Sequence, residues 1–241
     1  INFNDRYIRW PLYRLWGEEG REDIDGSLFK NLLNTSKSPE IITKEKTGFC
    51  SFVFSNFKAH PIRELFFKRL SQYKKVDSGG RFLNNIGGPV KSKLDFIGNY
   101  KFNICFENAS TTGYTTEKIV EAMSANTIPI YWGNPEISRE FNEKSFIKLE
   151  NELDIDKTIE RIIKLDQNDQ LYMKMMQQPW VLPKENIHPS EDVLLDFFEN
   201  IFTQGPKNSY RIPRKNYPSF HNEMLNWLSK CHGNQRQRKK E

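Results

Sequence analysis

Residues 102–135 read FNICFENASTTGYTTEKIVEAMSANTIPIYWGNP. The stretch opens on an apolar run ending at Phe106 and closes on a second one, IPIYWGN (128–134), with Pro129 near its start. Short apolar runs bounded by turn residues predict buried strands. Between them, TTEKIVEAMSAN places Ile119, Val120 and Met123 on one helical face, with Thr115 or Thr116 where an N-cap is expected. Strand, helix, strand at this spacing predicts two parallel strands joined by a right-handed crossover.

The same alternation extends on both sides. GFCSFVFSN (48–56) reads as a buried strand, and Pro61 opens IRELFFKRLSQY, whose apolar residues at 62, 65, 66 and 70 have helical spacing. KKVDSGG predicts a short strand closed by glycines. KSKLDFIGNY, beyond a Gly/Asn-rich loop (79–88), predicts a helix. Downstream come ISREFN, SFIKLEN and one long amphipathic helix, DIDKTIERIIKLDQNDQLYMKMMQQ, ending near Pro179. The expected architecture is α/β, a doubly wound parallel sheet over roughly residues 44 to 180. SEDVLLDFFENIFTQ (190–204) predicts a further helix, whereas residues 1–43 stand outside the alternation and are assigned to another domain or a linker.

Composition bounds the function. The chain of 241 residues is long enough for one large domain or two small ones, and 18 Phe, 9 Tyr and 5 Trp predict an aromatic core. No run of apolar residues is long enough for a transmembrane helix. INFNDRYIRW, at the start, has no initiator Met and no signal-peptide pattern, and reads as the middle of a longer protein. Cys50, Cys105 and Cys231 are too widely spaced for a disulfide framework or a cysteine zinc site, which favours a reducing compartment, and the four histidines form no cluster. Cys50 and Cys105 lie in apolar runs and are expected to be buried thiols. Two sequons, Asn34-Thr35-Ser36 and Asn108-Ala109-Ser110, are short enough to arise by chance. The net charge of +5 is concentrated at the end, where KCHGNQRQRKKE carries five Lys/Arg against one Glu. That segment reads as a solvated tail, or as a contact for an anionic membrane or nucleic acid.

In a doubly wound sheet, ligands bind beyond the carboxyl ends of the strands. Three strand ends therefore matter. In CFENASTTGYTTEK (105–118), Glu107 and Asn108 emerge at the sheet edge, and Thr115 to Lys118 fall in the first helical turn, where unpaired N–H groups suit a phosphate. Lys118 adds a positive charge, Glu117 can accept from ribose hydroxyls, Tyr114 can donate to a phosphate oxygen, and Gly113 permits close approach. A capped helix with a solvated Glu117–Lys118 pair accounts for the same residues. The loop is neither GxxxxGK nor GxGxxG. At the first strand end Arg63 suits a diphosphate clamp, or is held by Glu64 or solvent. At the second, Asp77, Ser78, Gly79, Gly80 and Arg81 form a polar turn able to cross a ligand. Together the three ends suit a nucleotide diphosphate, and no Asp-x-Asp metal clamp accompanies them.

At these same residues, 102–135 resembles the signature of the α-1,3/1,4-fucosyltransferases, glycosyltransferase family 10. The similarity continues through FSNFKAHPIRELFFKRLSQYKKVDSGGRFLNN (54–85) and SREFNEKSFI (138–147), and FNDRYIRWPLY (3–13) resembles the stretch before the nucleotide domain in bacterial members. The resemblance implies a GT-B fold, here the Rossmann-like C-terminal donor domain plus part of the N-terminal acceptor domain. The implied division is 1–43 as the end of the acceptor domain and linker, 44–205 as the GDP-fucose domain, and 206–241 as a basic tail. It implies inverting transfer of L-fucose from GDP-β-L-fucose to a GlcNAc hydroxyl, α-1,3 or α-1,4, of a lactosamine-type glycan. Carried over, Arg63 and Lys118 hold the diphosphate and act in catalysis, Tyr114 adds a hydrogen bond, Glu117 binds the ribose, and Asn108 lies near fucose and phosphates. Glu107 is a further candidate sugar contact. No cofactor or metal is implied beyond the donor. The general base belongs to the N-terminal domain upstream of this stretch, and Glu18 and Glu19 are not assigned to it. The tail resembles basic C-termini of bacterial members that touch the membrane, with no nucleic-acid partner. The implied location is cytoplasmic or peripheral on the cytoplasmic membrane for a bacterial protein, and the Golgi membrane for a eukaryotic one. Two other readings remain: a nucleic-acid- or membrane-binding module acting through the tail, and a donor-binding fragment without activity.

Overall fold

Five parallel strands form the sheet: β1 (Gly48–Phe52), β2 (Val76–Ser78), β3 (Tyr100–Ile104), β4 (Ile128–Tyr131) and β5 (Ile147–Lys148), in the spatial order β2–β1–β3–β4–β5. Register is set through buried apolar residues, with Cys50 opposite both Val76 and Phe102, Phe102 opposite Ile128, and Ile130 opposite Ile147. The strands are buried on successive residues rather than alternately, as a sheet covered on both faces requires. The computed structural model describes residues 8–17, 25–34, 46–183 and 190–203. Glu18, Glu19, Cys231, the threonine and serine of the first sequon and the basic tail lie outside the described residues.

Among the described residues the α-helices are α1 (Ser27–Asn34), α2 (Ile62–Tyr73), α3 (Lys93–Gly98), α4 (Lys118–Ser124), α5 (Ile155–Asp166), α6 (Asp169–Met176) and α7 (Glu191–Thr203). The helices fall into two groups, α4 touching both α1 and α3, and α5 touching both α2 and α6, as the two faces of a doubly wound sheet demand. The expected parallel α/β architecture is what the chain adopts. Cys50 and Cys105 are buried free thiols, as their apolar surroundings predicted. No helix among the described residues is long and apolar enough to cross a membrane.

Three expectations change. The single helix expected over 154–178 is two, because Asn168 takes an extended backbone and its side chain accepts from Leu171 N–H, capping α6. The helix expected over 91–100 contracts to α3, since Ser92 caps it and Tyr100 belongs to β3. Neither Thr115 nor Thr116 caps α4; Glu117 occupies the N-cap position with no side-chain cap bond. The carboxylates of Glu140 and Glu107 claim the Thr115 and Thr116 hydroxyls instead.

Residues as far as Leu194 form one compact unit, and a second begins at Leu195. Within the first, Tyr13, Leu28, Phe29 and Leu32 belong to the same core as the sheet. The Tyr13 ring lies 4.9 Å from Phe29 and 5.1 Å from Phe141, joining residues 8–17 and α1 to the segment after β4.

Candidate active site

Strand order dictates where the site lies. The chain steps from β1 to β2 on one side, then returns to β1's other side for β3, β4 and β5. The crevice of such a sheet opens at the carboxyl ends of the two strands flanking that reversal, β1 and β3. Arg63 enters it from the first turn of α2, and Asn108 from the loop after β3.

Arg63 is 1% exposed, with its guanidinium 4.0 Å above the Phe54 ring. One nitrogen, Nη2, donates to the Phe106 carbonyl at 2.9 Å and to Asn108 Oδ1 at 2.7 Å. The other two, Nε and Nη1, are buried without a partner. Burial pulls this group down to about 10, against Glu107, Tyr114 and Glu117, which raise it. It therefore stays cationic at neutral pH with two donor nitrogens unsatisfied, a costly state that an anion would relieve. Asn108 Nδ2 in turn reaches the Tyr114 hydroxyl, at a long 3.4 Å.

Lys118 is held differently. Its ammonium donates to Thr116 Oγ1 at 2.7 Å, Glu117 Oε1 at 3.1 Å and Glu107 Oε2 at 3.2 Å. Burial works against its charge, but Glu107 and Glu117 outweigh it and raise the group above its ordinary range. Glu107 is fully buried; Thr116 donates to it through N–H at 2.7 Å and through Oγ1 at 2.6 Å. Burial lifts the Glu107 carboxyl despite the pull of Lys118. Burial also opposes charge on Glu117, yet Lys118 and Lys93 prevail and hold it below the ordinary range. The anion at the start of α4 is thus the protein's own Glu107.

The five residues expected at the site, Arg63, Asn108, Tyr114, Glu117 and Lys118, stand within one electrostatic neighbourhood. The polar turn after β2 does something else. Asp77 accepts from Tyr100 Oη at 3.0 Å and pairs with Lys75 at 2.6 Å. Gly80 lies so close to the Phe54 backbone that a Cβ there would enter the Phe54 carbonyl oxygen. This turn props up Phe54, the platform of Arg63.

A second polar cluster was not foreseen. Asn134, 1% exposed, donates from Nδ2 to Glu140 Oε1 at 2.8 Å and to Thr115 Oγ1 at 3.0 Å, and its Oδ1 accepts from Gly113 N–H at 2.9 Å. Arg9 completes the group, 2.9 Å from Glu140. Its members were singled out apart from one another: Gly113 and Thr115 in the loop, Asn134 closing IPIYWGN, and Arg9 and Glu140 within the family-like stretches 3–13 and 138–147. Among the described residues no group of His, Cys, Asp or Glu is arranged to hold a metal ion.

Chemically, two cations flanking a carboxylate-bearing loop can hold a polyanion and orient a hydroxylated ring beside it. Comparison with known proteins supplies the context. Residues 43–185 match the model of glycosyltransferase family 10 (fucosyltransferase), C-terminal part. The α-(1,3)-fucosyltransferase FucT of Helicobacter pylori is 37% identical over 199 residues, 74% of this chain and 41% of that protein. The α-(1,3)-fucosyltransferase B of Drosophila melanogaster is 33% identical over 128 residues, 48% of this chain and 29% of that one. The chain spans less than half the length of these relatives. A crystal structure of α1,3-fucosyltransferase with GDP-fucose superposes with a TM-score of 0.64 at 33% identity, covering 83% of this chain and 66% of the other.

Proposed function

Because the chain belongs to glycosyltransferase family 10, the fucosyltransferases, we propose that it binds GDP-β-L-fucose in the β1/β3 crevice and serves transfer of fucose to a lactosamine-type glycan. The observation that carries this reading is Arg63, a buried cation with two unpartnered nitrogens at the switch point of the sheet. Structural duty accounts for Nη2 alone; a diphosphate accounts for the remainder. Since Arg63 is buried, the donor has to displace what covers it, and the 3.4 Å Asn108–Tyr114 bond is the weakest tie nearby.

Lys118 and Glu117 would part when the donor arrives. Glu117 turns to the ribose hydroxyls as acceptor, and the freed ammonium proton of Lys118 turns to a phosphate oxygen, while Glu107 keeps Lys118 charged. In the transfer, the acceptor hydroxyl oxygen bonds to the fucose anomeric carbon as the bond from that carbon to the diphosphate oxygen breaks. The electron pair leaves with GDP, and the acceptor's proton passes to a general base, a role assigned to none of Arg63, Asn108, Tyr114, Glu117 and Lys118. Arg63 and Lys118 stabilise charge as it develops on the leaving diphosphate. These side chains meet that charge themselves, so chelation with EDTA is expected to leave GDP affinity unchanged.

Calorimetry of the chain with GDP at low ionic strength tests the donor site. Saturable binding is expected, weakened roughly tenfold to a hundredfold in Arg63→Ala, the worth of charge-assisted hydrogen bonds. No heat with GDP, or full affinity in both Arg63→Ala and Lys118→Ala, sinks the reading. Mass spectrometry of products from GDP-fucose and a panel of lactosamine acceptors then separates a transferase from a donor-binding fragment.

A further inference from the structure

We infer that Arg9 and Glu140 are positioning residues, a clamp that sets the geometry of the donor loop without touching the donor; the inference rests on the donor-site reading above. Arg9 lies 104 positions before Gly113, yet its Nε donates to the Gly113 carbonyl at 2.8 Å. Its Nη2 donates to Glu140 Oε1 at 2.9 Å and to Thr115 Oγ1 at 3.4 Å. One carboxylate oxygen, Glu140 Oε1, therefore gathers Arg9, Asn134 Nδ2 and the Thr115 hydroxyl, the last at 3.1 Å.

Gly113 is gripped from both sides. Its N–H donates to Asn134 and its carbonyl accepts from Arg9, while its φ of +81° is a conformation other residues adopt only under strain. The next residue is Tyr114, and the one after the Thr115 anchor is Thr116, which binds Glu107 and Lys118. Fixing the backbone at 113 and the side chain at 115 leaves Tyr114 and the Glu107–Thr116–Lys118 group little freedom to drift. The clamp groups are largely shielded from solvent, with the Arg9 and Glu140 side chains 12% and 9% exposed. A buried ion pair is weak evidence for stability, since apolar residues of like volume often serve as well. Directional bonds to one loop peptide are better explained by conformational selection of that loop. Pre-set geometry matters at such a site, because displacement of a binding group by about 1 Å can cost on the order of a hundredfold.

The test compares wild type, Arg9→Met and Glu140→Gln for GDP affinity by calorimetry and for stability by urea unfolding, at a temperature where each variant is fully folded. A clamp predicts GDP binding weakened by about tenfold or more in both variants, although neither residue touches the donor. Wild-type affinity in folded variants, whatever their urea midpoints, assigns the pair a purely structural role and overturns the inference while leaving the donor site standing. Absence of GDP binding by the wild-type chain overturns the donor site and the clamp together. Should Arg9→Met fail to fold, Arg9→Lys is read the same way. It keeps the charge but has one ammonium in place of a guanidinium fork, so it cannot hold both Gly113 and Glu140 in their present geometry, and weakened binding is again the expected result.

Discussion

Glu107 shows how one side chain can serve both folding and chemistry. Its fully buried carboxylate orders Thr116 through two hydrogen bonds and supplies the counter-charge of Lys118. Removing Lys118 would strand that carboxylate. Lys118→Met is therefore expected to lose about 3 kcal/mol of stability, the scale for breaking a buried pair from one side, and urea unfolding measures it. A pH dependence follows as well. Burial raises Glu107 above the ordinary glutamate value of 4.5, so the folded state holds its proton more tightly than the unfolded chain. Its contribution to stability is then largest below 4.5 and declines as pH rises through the elevated folded value. Glu107→Gln lacks that decline. The gap in urea midpoint between wild type and variant should narrow as pH rises from below 4.5; a gap independent of pH would show that Glu107 titrates normally.

At the scale of the element, β2 poses an edge problem. It is only three residues long and has β1 on one side, and among the described residues no strand pairs with its other edge, whose backbone groups need other partners. Asn85 replaces the missing strand: its Oδ1 accepts from Ser78 N–H at 2.7 Å, and its Nδ2 donates to the Val76 carbonyl at 2.9 Å. Asn85→Ala is expected to cost about 1–3 kcal/mol, the penalty for a buried unsatisfied backbone group, and to speed amide exchange at Ser78. Unchanged exchange would mean that water serves that edge equally well. Such devices mark where sequence reading stopped. Strand–helix alternation, α2 from its apolar spacing and the sheet-edge loop at 105–118 were all legible, because each is written in local periodicity. The break between α5 and α6 was not, because Asn168 ends a helix only when its side chain turns back to Leu171. Thr115 and Thr116 carried a capping signal that the structure does not follow, because Glu140 and Glu107 engage both hydroxyls from outside the local window. Arg9 and Glu140 meet 131 positions apart, and no local pattern announces such a meeting.

At the scale of the whole first unit, the segment before the sheet is tied to the loop at 113–115, where Arg9 donates to the Gly113 carbonyl and to Thr115. Tyr13, Phe29 and Phe141 form a three-ring cluster, with Phe29 and Phe141 6.4 Å apart, and α1 packs against α4, the helix that starts at Lys118. The same segment carries Arg9. Rings of this kind bury large apolar areas, and truncating one to Ala in a core costs about 3–5 kcal/mol. Tyr13→Ala should therefore lose stability on that scale. It should also weaken GDP binding, because the cavity lies beside Phe141, next in sequence to Glu140. A chain beginning after Asn34 keeps Arg63, Asn108, Tyr114, Glu117 and Lys118 but loses Arg9, Tyr13 and Phe29. If the nucleotide domain were self-sufficient, that shortened chain would bind GDP as the full chain does. The packing predicts otherwise: a lower and broader urea transition, with GDP affinity reduced by at least the factor seen in Arg9→Met. Calorimetry and urea unfolding on the two chains side by side decide the matter, and equal affinity with an equally sharp transition would show that the donor site is set by the sheet alone.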